Sequence, residues 1–371
     1  MRGIVDGLNQ SDRRLRPNTS DAEDDNPGFF SLRPNGFIVN GTSGSVNSSG
    51  VTFVFLAIRR PDGYVGKPPE LGTDVFAMDT GASSSTIPNF DSGFPVDFGI
   101  DRDVTQNRNW DVGARLMQGK YLDTNLSGSG GNWAANSFDS NVGWNHSGAN
   151  SNTQSWMWKR HAGMDVIFYE GDGVNGRSIA HSMNDVPEMM IVKRRSSTED
   201  WTVYHAGLTS VNYHLTLNSS GAEVDMSSTP EKVWKSTPTA THFEIGSHDR
   251  VNTDGEDYLA LLFSSIKGIS KLGHYSGSSS DFSIDLGFTP RLWISKRVNG
   301  DAGGWIVFDT LRGMSSSVND PMMFLNSTTA SNAYSSNSMD ISGNTITLKA
   351  GVNNDTLSSS SSDKYIYYAH A

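Results

Sequence analysis

A segment of about 100 residues recurs along this chain. Pro187 is followed six residues later by Lys193-Arg194 and then by Trp201, Val203 and Tyr204. Pro290 is followed six residues later by Lys296-Arg297 and then by Trp305, Val307 and Phe308. Leu217-Asn218-Ser219-Ser220-Gly221-Ala222 returns as Leu325-Asn326-Ser327-Thr328-Thr329-Ala330. A period this long means copies of a whole small domain rather than turns of a solenoid. A motif inside one copy can therefore be tested against its sisters.

The frame extends toward both ends. Arg2-Gly3 and Asn18-Thr19-Ser20-Asp21-Ala22-Glu23 match Arg312-Gly313 and the Asn326 block, and Val46 to Phe53 matches Val251 to Tyr258. Val96-Asp97-Phe98-Gly99-Ile100 resembles Ile284-Asp285-Leu286-Gly287-Phe288. Trp156-Met157-Trp158 falls where other units carry Phe53-Val54-Phe55, Tyr258-Leu259-Ala260 and Tyr365-Ile366-Tyr367. Four units follow: a partial one at 1–62, a diverged one with long loops at 63–162, and two at 163–267 and 268–371. The first lacks the Pro…Lys-Arg…Trp segment, so either Met1 is not the biological start or another chain or region completes that unit.

Short runs rich in aromatic and β-branched residues, such as Met189 to Val192, Tyr258 to Phe263 and Thr345 to Leu348, lie between stretches of Gly, Ser, Asn and Thr. This is a strand-and-turn pattern. The last unit offers strands near Ser283–Gly287, Leu292–Lys296, Trp305–Asp309, Met322–Leu325, Met339–Ile341, Thr345–Lys349 and Lys364–Ala369. That number suits an antiparallel β-sandwich. A propeller is the rival, but its blades are about half this length. The expected fold is all-β, with tandem antiparallel sandwiches of about 100 residues each strung like beads.

The chain has no cysteine and a net charge of −11. Disulfides and thiolate metal sites are excluded, and an acidic surface disfavours nucleic acid. Lys193-Arg194-Arg195 reads as a solvated strand end. No run approaches the ~20 apolar residues of a membrane span, and the N-terminus lacks a signal-peptide core. Work outside a cell would need another route, such as lysis.

Phe76-Ala77-Met78-Asp79-Thr80-Gly81-Ala82-Ser83 resembles the catalytic loop of aspartic proteases, where two such loops bring two carboxylates together. Asp91-Ser92-Gly93 is too near to be a second lobe, so only a homodimer would complete the dyad. The frame sets Asp79-Thr80-Gly81 against Tyr169-Glu170-Gly171 and Tyr275-Ser276-Gly277. Only the glycine persists, as expected of a turn needing positive φ. His161, His181, His205, His214, His242 and His248 show no metal-ligand spacing. Asp101-Arg102-Asp103 and the stretch Asp249 to Asp257 are candidate calcium loops. The Asn-x-Ser/Thr sequons at Asn18, Asn40, Asn125, Asn218 and Asn326 read as turns. Trp201 and Trp305 are repeat-equivalent and read as core, while Trp133 and Trp144, amid Gly, Asn and Ser, are candidate sugar-stacking rings.

The repeat resembles the tandem β-repeat tail and tail-fibre proteins of marine tailed bacteriophages of the cyanophage and pelagiphage type. Val186 to Arg195 with Trp201 to His205, Leu217 to Glu223, Val251 to Phe263, Gly268 to Gly277, Phe288 to Arg297, Ala57-Ile58-Arg59-Arg60-Pro61 and Tyr365 to Ala369 carry the resemblance. It implies a non-enzymatic structural or adhesin part of a virion, assembled in the bacterial cytoplasm. The implied partners are copies of itself (a trimer, as is common in fibres), other virion proteins and a host-surface glycan. A carbohydrate-binding or carbohydrate-degrading module is the alternative, and a homodimeric protease a remote one. The resemblance supplies no catalytic residue.

Overall fold

The computed structural model describes residues 12–14, 16–22, 24–26, 30–33, 36–39, 44, 46–56, 69–82, 88–117, 119–133, 137–146, 148–300, 303–314, 320–333, 338–350, 357–358 and 360–371. Strand dominates. Among the described residues the one α-helix is the single turn Asp249–Asn252, and no helix is long and apolar enough to cross a membrane. All named strand pairs are antiparallel.

Near the N-terminus, β1 (Asp12–Arg14) pairs with β2 (Asp24–Asn26), and β3 (Phe30–Arg33) with β4 (Gly36–Val39). Phe53-Val54-Phe55, expected as a closing strand, lies in no strand. Val54, Phe55 and Leu56 are exposed. Elsewhere the closing strand is held between two neighbours. Arg2-Gly3, Asn40 and Ala57 to Pro61 lie outside the described residues.

Three sandwiches follow. The first comprises β5 (Phe76–Thr80), β6 (Phe90–Asp91), β7 (Phe98–Asp103), β8 (Asp111–Ala114), β9 (Lys120–Asp123), β10 (Gly131–Asn132), β11 (Gly143–Trp144) and β12 (Thr153–Trp158). The second comprises β13 (Met164–Glu170), β14 (Arg177–Ala180), β15 (Met189–Arg194), β16 (Thr202–His205), β17 (Tyr213–Thr216), β18 (Val224–Asp225), β19 (His242–Ile245) and β20 (Asp257–Phe263). The third comprises β21 (Ser270–Ser276), β22 (Phe282–Asp285), β23 (Leu292–Arg297), β24 (Ile306–Asp309), β25 (Pro321–Phe324), β26 (Asn332–Ala333), β27 (Met339–Ser342), β28 (Thr345–Leu348) and β29 (Lys364–His370).

The large sheets share one order: β5-β12-β7-β8-β9-β10, β13-β20-β15-β16-β17-β18 and β21-β29-β23-β24-β25-β26. Each is faced by a small sheet: β6-β11, β14-β19 and β22-β28-β27. Register fixes the equivalences. Ile100 pairs with Val112, Ile191 with Val203 and Ile294 with Val307, while Val112, Val203 and Val307 pair in turn with Leu122, Leu215 and Met323. Trp110, Trp201 and Trp305 each stand two residues before those valines. The closing strands align Trp156 with Leu261 and Tyr368, three residues from the alignment that aromatic matching alone suggests.

The sandwiches are not beads. Their large sheets close into a ring around one shared core that includes Ile100, Trp110, Trp158, Ile191, Trp201, Phe263, Leu292, Trp305, Met323 and Tyr368. Each large sheet therefore buries both faces, one against its small sheet and one against the other large sheets. The equivalent tryptophans close the ring cyclically. Trp110 Nε1 donates to the Phe324 carbonyl at 2.8 Å, Trp201 Nε1 to Asp123 at 2.8 Å and Trp305 Nε1 to Thr216 at 3.0 Å. Asn125, Asn218 and Asn326 clamp them, each Oδ1 accepting the backbone N–H of Trp110, Trp201 or Trp305. The hydroxyls that follow cap turns, with Ser219 Oγ accepting from Gly221 N–H and Ser327 Oγ from Thr329 N–H.

The basic pairs also belong to these joints, contrary to the solvated reading. Lys193 and Lys296 are fully buried, and Arg195 and Arg297 nearly so. Lys193 Nζ donates to the Ser127 carbonyl and Lys296 Nζ to that of Ser220. Arg102, at the same register position, donates to the carbonyls of Ser327, Thr328 and Thr329. A long apolar stem ending in a donor suits carbonyls left unpaired at a sheet end.

Candidate functional site

The first sandwich departs from its sisters on one face. Its small sheet is reduced to the two-residue strands β6 and β11, and its inner core to a patch around Phe90, Phe94, Val96, Phe138, Trp144 and Met157. Trp144 stacks between Phe90 and Phe138 and occupies space left open by two glycines. A Cβ on Gly99 would lie 2.9 Å from the indole, and one on Gly113 3.0 Å from Phe138.

One step further along the same face, three aspartates stand in a row. Asp101 pairs with Asp111 across β7 and β8, and Asp111 with Asp123 across β8 and β9. Side chains directly opposite on neighbouring strands are in contact range, and like charges there repel. The same row reads Val192-Thr202-Thr216 in the second sandwich and Ser295-Ile306-Phe324 in the third. Uncharged interior positions have become acidic in one copy of three.

His146, in the loop after β11, completes the cluster. The His146 ring and Asp101 are both almost wholly buried, and Nδ1 is hydrogen-bonded with Asp101 Oδ2 at 2.6 Å. Asp101 Oδ1 and His146 Nε2 are buried without a hydrogen-bond partner. Atoms of Asp101, Asp111 and His146 lie within 4.8 Å of one another, a spacing that one metal ion can bridge. Burial, then the charges of Asp101 and Asp123, push the Asp111 carboxyl up to about 9. Burial also raises Asp101, against the pull of His146, and raises Asp123. In the absence of a cation Asp111 therefore retains its proton at neutral pH.

The cluster opens into a cavity of about 370 Å³ lined also by Asp103, Arg108, Asn109, Trp133, Asn150 and Thr153. Trp133 is half-buried, its ring edge-on to His146 at 3.9 Å and to Tyr121 at 4.9 Å. An aromatic wall, amides and carboxylates around one opening can hold a cation or a polyhydroxylated ligand.

The tryptophans proposed from sequence therefore separate: Trp133 lines the cavity, whereas Trp144 is core with no face free for a sugar. Asp101-Arg102-Asp103 is a strand rather than a calcium loop, so Arg102 points away from the cavity that its neighbours line. Asp249 to Asp257 spans a helical turn and the start of β20, and contributes to no three-ligand cluster among the described residues. His146 and Asp111 were not singled out by sequence. Their signal was Asp111 standing where Trp201-Thr202 and Trp305-Ile306 carry neutral residues.

The protease-like loop has a structural use. Asp79 Oδ1 accepts from Thr80 N–H at 2.9 Å and Oδ2 from Asp91 N–H at 2.8 Å, which ties β5 to β6. Gly81, Gly171 and Gly277 do share a role, but not through positive φ. A Cβ on each would lie 2.6, 2.0 and 2.4 Å from the carbonyl oxygens of Asn150, Thr253 and Ser360, so close backbone approach excludes a side chain. Ser83 to Ile87 lie outside the described residues.

No curated protein and no solved structure matches the chain. One family does, described as Domain of unknown function (DUF7483), over residues 103–371. The match starts at the end of β7, takes in Asp111, Asp123, Trp133 and His146, and runs through both later sandwiches. With well over half its length matched, the chain belongs to the DUF7483 family.

Proposed function

We propose that this chain is a non-enzymatic structural or adhesin component of a phage particle. Its three-sandwich ring forms a rigid head, and its divergent first sandwich presents the recognition surface. The observation that carries this reading is the cyclic set of Trp–carbonyl contacts. The residues repeated between copies serve mutual packing, and the chemically distinctive residues sit in one copy. The threefold frame expected of a fibre is supplied here within one polypeptide. Contacts with further copies or neighbouring virion proteins are assigned to the exposed apolar stretch Val51 to Leu56.

The test is direct. Peptide mass spectrometry of purified particles detects the chain, and antibody against it labels particles in negative stain and slows adsorption to host cells. Particles that lack the chain sink the reading.

Carbohydrate binding is the second reading, favoured by Trp133 beside Asn109 and Asn150 at the cavity. On a glycan array the parent chain retains host polysaccharide and Trp133→Ala does not. Equal retention by both removes Trp133 from recognition.

A further inference from the structure

We propose that Asp101, Asp111 and His146 hold one divalent transition-metal ion of the zinc or manganese class, with Asp123 supporting the site from the next strand. The inference is independent of the particle assignment.

Three observations carry it. First, the ligand atoms converge, all lying within 4.8 Å of one another. Second, two polar atoms in this cluster are buried and unpartnered: Asp101 Oδ1 and His146 Nε2, in residues 1% and 4% exposed. A buried polar atom without a partner is costly. Third, the sister sandwiches show what these positions hold when no ligand is served: Val192 and Thr202 in one, Ser295 and Ile306 in the other. Placing carboxylates there brings acidic groups together in a desolvated site, where protons or a cation must neutralise them. Among the described side chains that line the cavity, the one with a fixed positive charge is Arg108, and it is exposed.

The donor set selects the class of ion. His146 Nδ1 and Asp101 Oδ2 lie 2.6 Å apart. A bound ion would take the place of the proton between them, because metal binding releases protons from its ligands. Nδ1 and an Asp101 oxygen would then face the ion together with Asp111. Imidazole nitrogen with carboxylate oxygen suits zinc or manganese, whereas calcium prefers an all-oxygen shell of six to eight ligands. Remaining positions on the ion would face the cavity beside Trp133.

The full chain is stripped with chelator and titrated with Zn²⁺, Mn²⁺ and Ca²⁺ by calorimetry, with bound metal counted by elemental analysis. The expected result is one Zn²⁺ or Mn²⁺ per chain, with Ca²⁺ at least tenfold weaker. Asp111→Thr, which installs the second sandwich's own residue and so keeps the fold, and His146→Gln should each weaken binding about 10- to 100-fold. Their thermal unfolding midpoints in chelator serve as the folding control. Stoichiometric binding unchanged in both variants places the metal elsewhere and overturns the proposal. So does absence of Zn²⁺ and Mn²⁺ binding, and tighter Ca²⁺ binding overturns the assigned class.

Discussion

The backbone carbonyl of Asp123 accepts the indole N–H of Trp201 at 2.8 Å, while the carboxyl of the same residue ends the acidic row that begins at Asp101. One residue thus belongs to both the joint between two sandwiches and the edge of the candidate site. The site is built on strands that also join the sandwiches.

The ring joints should dominate stability. Trp305 is buried and its indole reaches the Thr216 carbonyl. Trp305→Ala is expected to cost about 3–5 kcal/mol in chemical denaturation. Trp305→Phe keeps most of the volume and should cost about 1–2 kcal/mol for the lost hydrogen bond. Equal losses in the two variants would mean that packing contributes nothing beyond the bond.

A shared core also predicts cooperativity. The three sandwiches should unfold together, with amides of β7, β15 and β23 exchanging with deuterium at similar free energies. Three separate transitions, each confined to one sandwich, would restore the beads-on-a-string arrangement.

Asn218→Ala should cost about 1–3 kcal/mol, because it leaves the Trp201 backbone N–H without its acceptor. Asn326→Ala should do the same at Trp305. Differential scanning calorimetry of the two variants tests whether the repeated Asn is a clamp. An unchanged midpoint in both rules it out.

The buried lysines predict a pH dependence. Burial, then the neighbouring arginine, lowers Lys193 to about 8 and Lys296 to about 7, from 10.5 in the open chain. Between those values the unfolded chain binds more protons than the folded one, so their contribution to stability rises with pH and is smallest below about 7. Asp111 acts in the opposite sense. The informative quantity is therefore the difference between parent and Lys193→Met/Lys296→Met chains from pH 7 to 9.5, in which the parent should gain more. Parallel curves reject the assignment.

Trp144→Ala should destabilise by about 3–5 kcal/mol, because the ring fills the space over Gly99 and Gly113. Trp133→Ala, at the rim of the cavity, should cost about 1 kcal/mol or less. Urea midpoints rank the two, and the reverse order would exchange their roles.

All seven strands read from sequence in the last unit are present within a residue or two of the expected limits. Ser270–Ser276 was missed because Ser-Lys-Leu-Gly-His-Tyr-Ser offers too few apolar residues to stand out. The ring was legible in principle. Met189-Met190-Ile191-Val192 and Tyr258 to Phe263 are apolar without alternation, the pattern of strands buried on both faces, and two-faced burial calls for a partner beyond the small sheet. Lys193 and Lys296 were misread because charge on a strand end normally means solvent. The neighbouring sandwich covers them and adds a carbonyl to the one that each takes from the next residue of its own strand.

From residue pattern alone came the repeat, the all-β class, the strand positions and the core role of Trp201 and Trp305, because each depends on local spacing and on comparison between copies. Tertiary structure alone decided the ring closure and the meeting of Asp101, Asp111 and His146. Register sets which residues face one another across strands, and a shift of one residue would turn the whole row to the other face. No feature of the linear chain marks residues 101, 111, 123 and 146 as neighbours until that register exists.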